Sequence, residues 1–161
     1  MLGWLVLYAE PTIDEDHMPA LSIARLLLGL ILSANGFAML AAPETWYATV
    51  PGVADTGPLN LHFVRDIGCA YLVSGGAFLW LLRTASAWPA ALAGSVFLLL
   101  HGCVHLGEAA AGRAEWHHLL RDFPGVFLIP ILALWLTWPR ALSRKEKHDV
   151  TMDSAAPARR L

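Results

Sequence analysis

The sequence predicts an all-α integral membrane protein: a four-helix bundle running up-down-up-down through the bilayer, with both termini cytoplasmic. Three observations carry this expectation. The chain has 161 residues, of which 57% are hydrophobic and 15% charged, whereas an average soluble domain is about one-quarter charged. Its apolar residues gather into segments near the ~20 residues that a span needs. Its lysines and arginines fall mainly on one side of those segments, the mark of an oriented membrane protein. The length allows one domain, and a net charge of −2 with no basic stripe excludes a nucleic-acid partner.

The expected spans are residues 20–42, 61–82, 87–109 and 122–139. The first runs from Leu21 to Ala42 with a single charge, Arg25, near its start. Asn60 is a suitable N-cap for the second, which stops at Arg83. Pro89 falls in the first turn of the third, where a proline is tolerated. The fourth begins near Asp122 and Pro124 and stops at Trp138-Pro139. Pro130 lies inside it and should kink it, leaving a backbone carbonyl unpaired. The short link at residues 83–87 makes spans two and three antiparallel neighbours.

Orientation follows from the basic residues. One side holds Arg25, Arg83, Arg140, Arg144, Lys145, Lys147, Arg159 and Arg160; the other holds only Arg65, Arg113 and Arg121. That bias puts the first side in the cytoplasm and the loops 43–60 and 110–121 outside, in the periplasm for a bacterial inner-membrane protein. Residues 1–19 form an N-terminal extension: an apolar stretch too short to span, then an acidic run. It lacks the basic start of a secretory signal, and Met18 is an alternative start. Residues 141–161 read as a charged, disordered cytoplasmic tail after the 20–140 bundle.

The polar residues converge on the outer end. His62, Arg65, Asp66, His101, His105, Glu108, His117, His118, Arg121 and Asp122 all lie near the outer ends of spans. An ionisable residue at such a position is a functional-site hypothesis by default. His62, Arg65, Asp66 and Cys69 share one helical face, as do His101, His105 and Glu108. His117–Arg121 and His118–Asp122 are i, i+4 pairs, and Asn35 lies at a comparable depth on the first span. Several chemistries use such a set. His101, His105 and Glu108, with His62 or His117, could ligate a transition metal. Facing histidines could hold a b-type haem, and imidazoles near an aqueous face could relay protons. A structural network is the plain alternative, with Arg65 and Asp66 paired to Asp122 and Arg121 or to His and Glu partners. HxxxHxxE lacks the internal glutamate of the zinc-protease helix. Cys69 and Cys103 read as two buried free thiols, with a bridge between them as the alternative at their similar depth.

Small residues mark helix contacts. Gly29 and Ser33 form a small-xxx-small pair followed by Gly36, and Gly68, Gly75, Gly76 and Gly94 allow close backbone approach. Trp46, Tyr47, Trp88, Trp135 and Trp138 read as interfacial anchors.

The run ARLLLGLILSANGFAMLAAPETWYATVPG (24–52), with its opening Arg, Gly-rich apolar stretch and Pro-Gly pair in the outer loop, resembles DoxX-like membrane proteins. GCAYLVSGGAFLWLLR (68–83) is similar in texture, and the resemblance covers roughly residues 20–140. It implies a four-helix bundle and an accessory subunit of a membrane oxidoreductase complex, with other redox subunits as partners. HFVRD (62–66) and HGCVHLGE (101–108) depart from that pattern. The alternative is a metal- or haem-binding membrane enzyme, or a small-molecule or proton carrier, using the polar site directly.

Overall fold

In a computed structural model, residues 17–113 and 115–137 are described; the first sixteen residues, the tail beyond 140 and the Trp138-Pro139 stop lie outside them. The described residues are helical throughout, with short turns and no strand. Helix α1 spans His17–Ala41, α2 Pro43–Thr49, α3 Leu61–Arg83, α4 Trp88–Ala110 and α5 Trp116–Asp122. α5 runs without a break into a π-helical turn, Phe123–Leu128, and on to Thr137. The helix therefore starts six residues before the expected fourth span.

Among the described residues three stretches are long and apolar enough to cross a membrane: Ala20–Ala41, Ala85–Ala110 and Trp116–Thr137. α3 has 23 residues, a sufficient length, but it carries Arg65, Asp66 and Arg83 and is not among those three. Local signals explain its bounds. The Asn60 side chain accepts a hydrogen bond from the Phe63 N–H at 3.1 Å, satisfying an N-terminal donor that the helix itself cannot. At the other end the Thr84 side chain caps the following turn, Ala85–Ala87, and Pro89 opens α4.

Glycines bring α1 and α3 into close contact. A Cβ at Gly36 would lie 2.6 Å from the Gly68 carbonyl, and one at Gly75 would lie 2.7 Å from both the Gly29 carbonyl and the Ser33 nitrogen. The two backbones touch, as small-residue helix pairs in membranes do. Gly76, expected in the same seam, has nothing within 4 Å of its would-be Cβ. α4 approaches α3 through Gly94 against Ser74. It approaches the last helix through Gly102, whose would-be Cβ lies 3.0 Å from the Val126 carbonyl. That carbonyl is the one whose i+4 donor Pro130 deletes. The π turn and the bare Gly102 backbone are how the structure accommodates the loss.

The apolar core occupies the half of the fold away from His101 and His105. Phe78, Leu32, Leu98, Ala91, Ala133 and Leu136 are all at most 3% exposed. At this end the Arg25 guanidinium donates to the Leu136 carbonyl at 2.8 Å and 3.3 Å, tying α1 to the last helix. The hydroxyls of Ser74, Ser95 and Thr137 each donate to the carbonyl four residues back. Among the described residues no buried side-chain polar atom lacks a partner, as a hydrocarbon surrounding demands.

Candidate functional site

The sequence-predicted residues divide into one joined set and several separate ones. The joined set begins in α4. His105 Nδ1 lies 3.2 Å from Asp122 Oδ2, with the two side chains 18% and 13% exposed. The other Asp122 oxygen accepts from Arg121 Nε at 3.3 Å. Arg121 Nη1 then donates to Asp55 Oδ2 at 2.8 Å. Toward the middle of α4, the ring of His101 meets that of His105 edge-on at a centroid distance of 5.0 Å. His101 also stacks on Phe97 and meets Tyr71 of α3 edge-on. A line of polar groups thus runs from the exposed Asp55 through Arg121, Asp122 and His105 to His101.

Local sequence explains the line. His101 and His105 are one turn apart, so their rings meet, edge-on, along one face of α4. Arg121 and Asp122 end α5 just before the π turn, which places Asp122 toward α4 and Arg121 toward the loop after α2. In that loop Gly52 has φ +86°, and the guanidinium of Arg121 fills the place where its Cβ would stand. Only glycine meets both conditions.

The loop has its own fasteners. The Tyr47 hydroxyl donates to the Gly57 carbonyl. The Trp46 indole N–H donates to Asn35 Oδ1 at 2.9 Å. Asn35 therefore anchors α2 on α1; it does not join the histidines. Trp46 has a structural partner beyond the interfacial role expected of it.

The remaining predicted residues sit apart. His62 pairs with Asp66 on its own helix at 3.4 Å, with side chains 89% and 60% exposed, and Arg65 is exposed beside them. The pairing of Arg65 and Asp66 with Asp122 and Arg121 does not form, because that face of α3 points away from α4 and α5. His117 pairs with Glu115 at 3.1 Å and contacts the His118 ring, in place of the i, i+4 pairs with Arg121 and Asp122. Glu108 is half-buried, and no contact joins it to His101 or His105. Among the described residues no three His, Cys, Asp or Glu side chains form a group able to hold a metal ion. The ligand set His101, His105, Glu108 and His62 is therefore not assembled, since His62 leaves it entirely. Cys69 and Cys103 are free, but both are exposed on outward helix faces rather than buried.

Sequence reasoning missed Asp55, Tyr71 and Gly52. Asp55 follows the Pro51-Gly52 pair, and that turn signal was the only trace of its role.

The loop clasp responds to pH in a defined direction. The hydrogen bond from Arg121 holds the Asp55 carboxyl below the usual carboxylate range, with Arg121, His118 and His117 adding to the effect by charge. A carboxylate lowered on folding contributes stability that is whole above the ordinary value, about 3.9, and lost as pH falls through the lowered one. The pair is exposed and adds little to global stability; its effect is on the loop. Asp55→Asn at neutral pH is expected to raise amide exchange across residues 50–57 relative to the parent, with exchange in the α1–α3 core unchanged. Equal exchange in the two proteins would show that Arg121 does not hold the loop.

No known protein family matches the chain, and neither a curated protein nor a solved structure matches it.

Proposed function

We propose that this chain is a four-span inner-membrane protein, with both termini cytoplasmic, that exchanges protons with the outer aqueous phase at a His105–Asp122 site. The charge balance of the polar line carries the reading. Asp55, Arg121 and Asp122 together hold one negative charge in excess while the His105 imidazole is neutral, and a proton on that ring cancels it. Imidazole is the ordinary side chain that changes charge between pH 5 and 8. Asp122 occupies Nδ1, so the exchanging nitrogen is Nε2, and His101 is the next ring inward. The accessory-subunit expectation stays compatible with this site, with a partner complex supplying whatever uses the proton.

Orientation rests on the eight cytoplasmic-side basic residues against three outside. A reporter fused after Leu161 should be cytoplasmic, and a cysteine at position 112 should react with an impermeant thiol reagent from outside. The reverse pattern would put the site on the cytosolic face.

Proton exchange is tested by ¹⁵N resonances of labelled histidine in nanodiscs from pH 5 to 8. The His105 ring should exchange its proton with the outer phase, and Asp122→Asn should change its neutral tautomer. Rings that hold one state throughout would remove the proposal. Absorption and metal analysis of the same sample decides the competing reading: a Soret band or stoichiometric metal would replace proton exchange with cofactor binding.

A further inference from the structure

The outward face of α3 differs from every other outward face in the described fold. α1 presents Ile23, Leu26, Leu27, Leu30, Ile31 and Phe37 to its surroundings. α4 presents Val96, Leu99, Leu100 and Val104, and the last helix Leu128, Ile131, Leu132 and Trp135. These side chains suit lipid. On α3 the corresponding stripe is His62, Asp66, Cys69, Val73, Gly76 and Trp80, all exposed. It holds a carboxylate, an imidazole and a bare glycine, with Arg65 at its edge.

The spacing of that stripe is 4, 3, 4, 3, 4. This is the heptad seam by which two helices mesh side chains along their length. The neighbours of α3 within the fold use other sectors: α1 lies on Gly68, Leu72 and Gly75, and α4 lies on Ser74. Among the described residues no side chain covers the seam, and Gly76 has open space over it. Asp66 lies six residues past Asn60, about 9 Å along the helix. Lipid offers a charge at that depth no hydrogen bond.

We propose that the outward face of α3 is the interface of a homodimer, in which α3 packs on α3 of a second copy about a two-fold axis along the membrane normal. This rests on the four-span reading, since only then do both copies insert in one sense and at one depth. The occupant is argued from charge. A two-fold axis brings residues at equal depth together, so Arg65 of each copy reaches Asp66 of the other, and His62 flanks them. The stripe carries its own counter-charges, as an isologous interface requires. Below the charges, Cys69, Val73 and Gly76 meet their own counterparts, and the absent side chain at Gly76 lets the two backbones close.

The experiment is copper-phenanthroline oxidation of native membranes, read by non-reducing electrophoresis. Two Cys69 residues across the axis fall within the ~7 Å between Cα atoms that a disulfide tolerates. Most of the chain should run as a dimer, unchanged in Cys103→Ser and absent in Cys69→Ser. Gly76→Leu should weaken association about tenfold in detergent. Asp66→Arg should also weaken it, and the double swap Arg65→Asp with Asp66→Arg should restore it. No Cys69 product, or a Cys69 product with a different protein, would overturn the homodimer. Labelling of residues 60 and 84 from opposite sides of the membrane alongside such a result would leave the four-span reading intact. Labelling of both from one side would overturn the two readings together.

Discussion

Valine at Gly75 is expected to cost this fold about 3 kcal/mol or more, and valine at the adjacent Gly76 close to nothing. The Cβ at position 75 would stand 2.7 Å from two backbone atoms of α1, the Gly29 carbonyl and the Ser33 nitrogen. Backbone cannot turn aside, so α1 and α3 must separate along their whole contact. Overpacking a close contact typically costs 1–3 kcal/mol, with occasional larger values. Gly36→Val should behave in the same way, since its Cβ would meet the Gly68 carbonyl at 2.6 Å. At Gly76 the space is open, and a surface change is usually within about 0.5 kcal/mol. The measurement is thermal unfolding of the three variants in mild detergent, dilute enough to separate copies. If Gly75→Val and Gly76→Val melt alike, the α1–α3 seam is not where the backbones touch.

That neighbouring pair shows how far the sequence could be read. Three helix ends were legible because each has a chemical marker: Asn60 before α3, Arg83 at its end, Pro89 opening α4; the start of the last helix at Trp116 had none. The seam glycines were legible as a class. Their rotation was not, because Gly75 and Gly76 differ by 100° around a helix whose apolar residues lie on every side. A helix that is hydrophobic all round gives no signal of which face turns inward. The same ambiguity affected the polar residues. His62, Arg65, Asp66 and Cys69 do share one face, as their spacing requires, but that face points out of the fold. His101 and His105 also share a face, and theirs meets α5. Pro130 announced a missing hydrogen bond, yet not that the chain would answer with a π turn and Gly102. Asp55 lies in a Pro- and Gly-rich loop with no periodicity to place it, so only the three-dimensional path of the loop reveals its bond to Arg121.

Asp122→Ala is expected to destabilise the fold by about 3 kcal/mol, the usual scale for removing one member of a buried ionic contact. Asp122 is 13% exposed and accepts from both His105 and Arg121. Its loss leaves an enclosed imidazole without its acceptor and a guanidinium with only the exposed Asp55. Asp66→Ala should cost within about 0.5 kcal/mol under the same dilute conditions, because both members of its pair with His62 lie open. His105→Leu is the informative third variant. It removes the imidazole but leaves Asp122 paired with Arg121, and leucine suits an apolar setting, so its cost should fall well below that of Asp122→Ala. Thermal unfolding of the three gives the order. Equal losses for Asp122→Ala and Asp66→Ala would mean that the His105–Asp122 line does not lock the helix ends. If His105→Leu folds well and yet shows no proton exchange, stability does not account for the imidazole. In that outcome the helices hold without the imidazole, as the proton-exchange proposal expects.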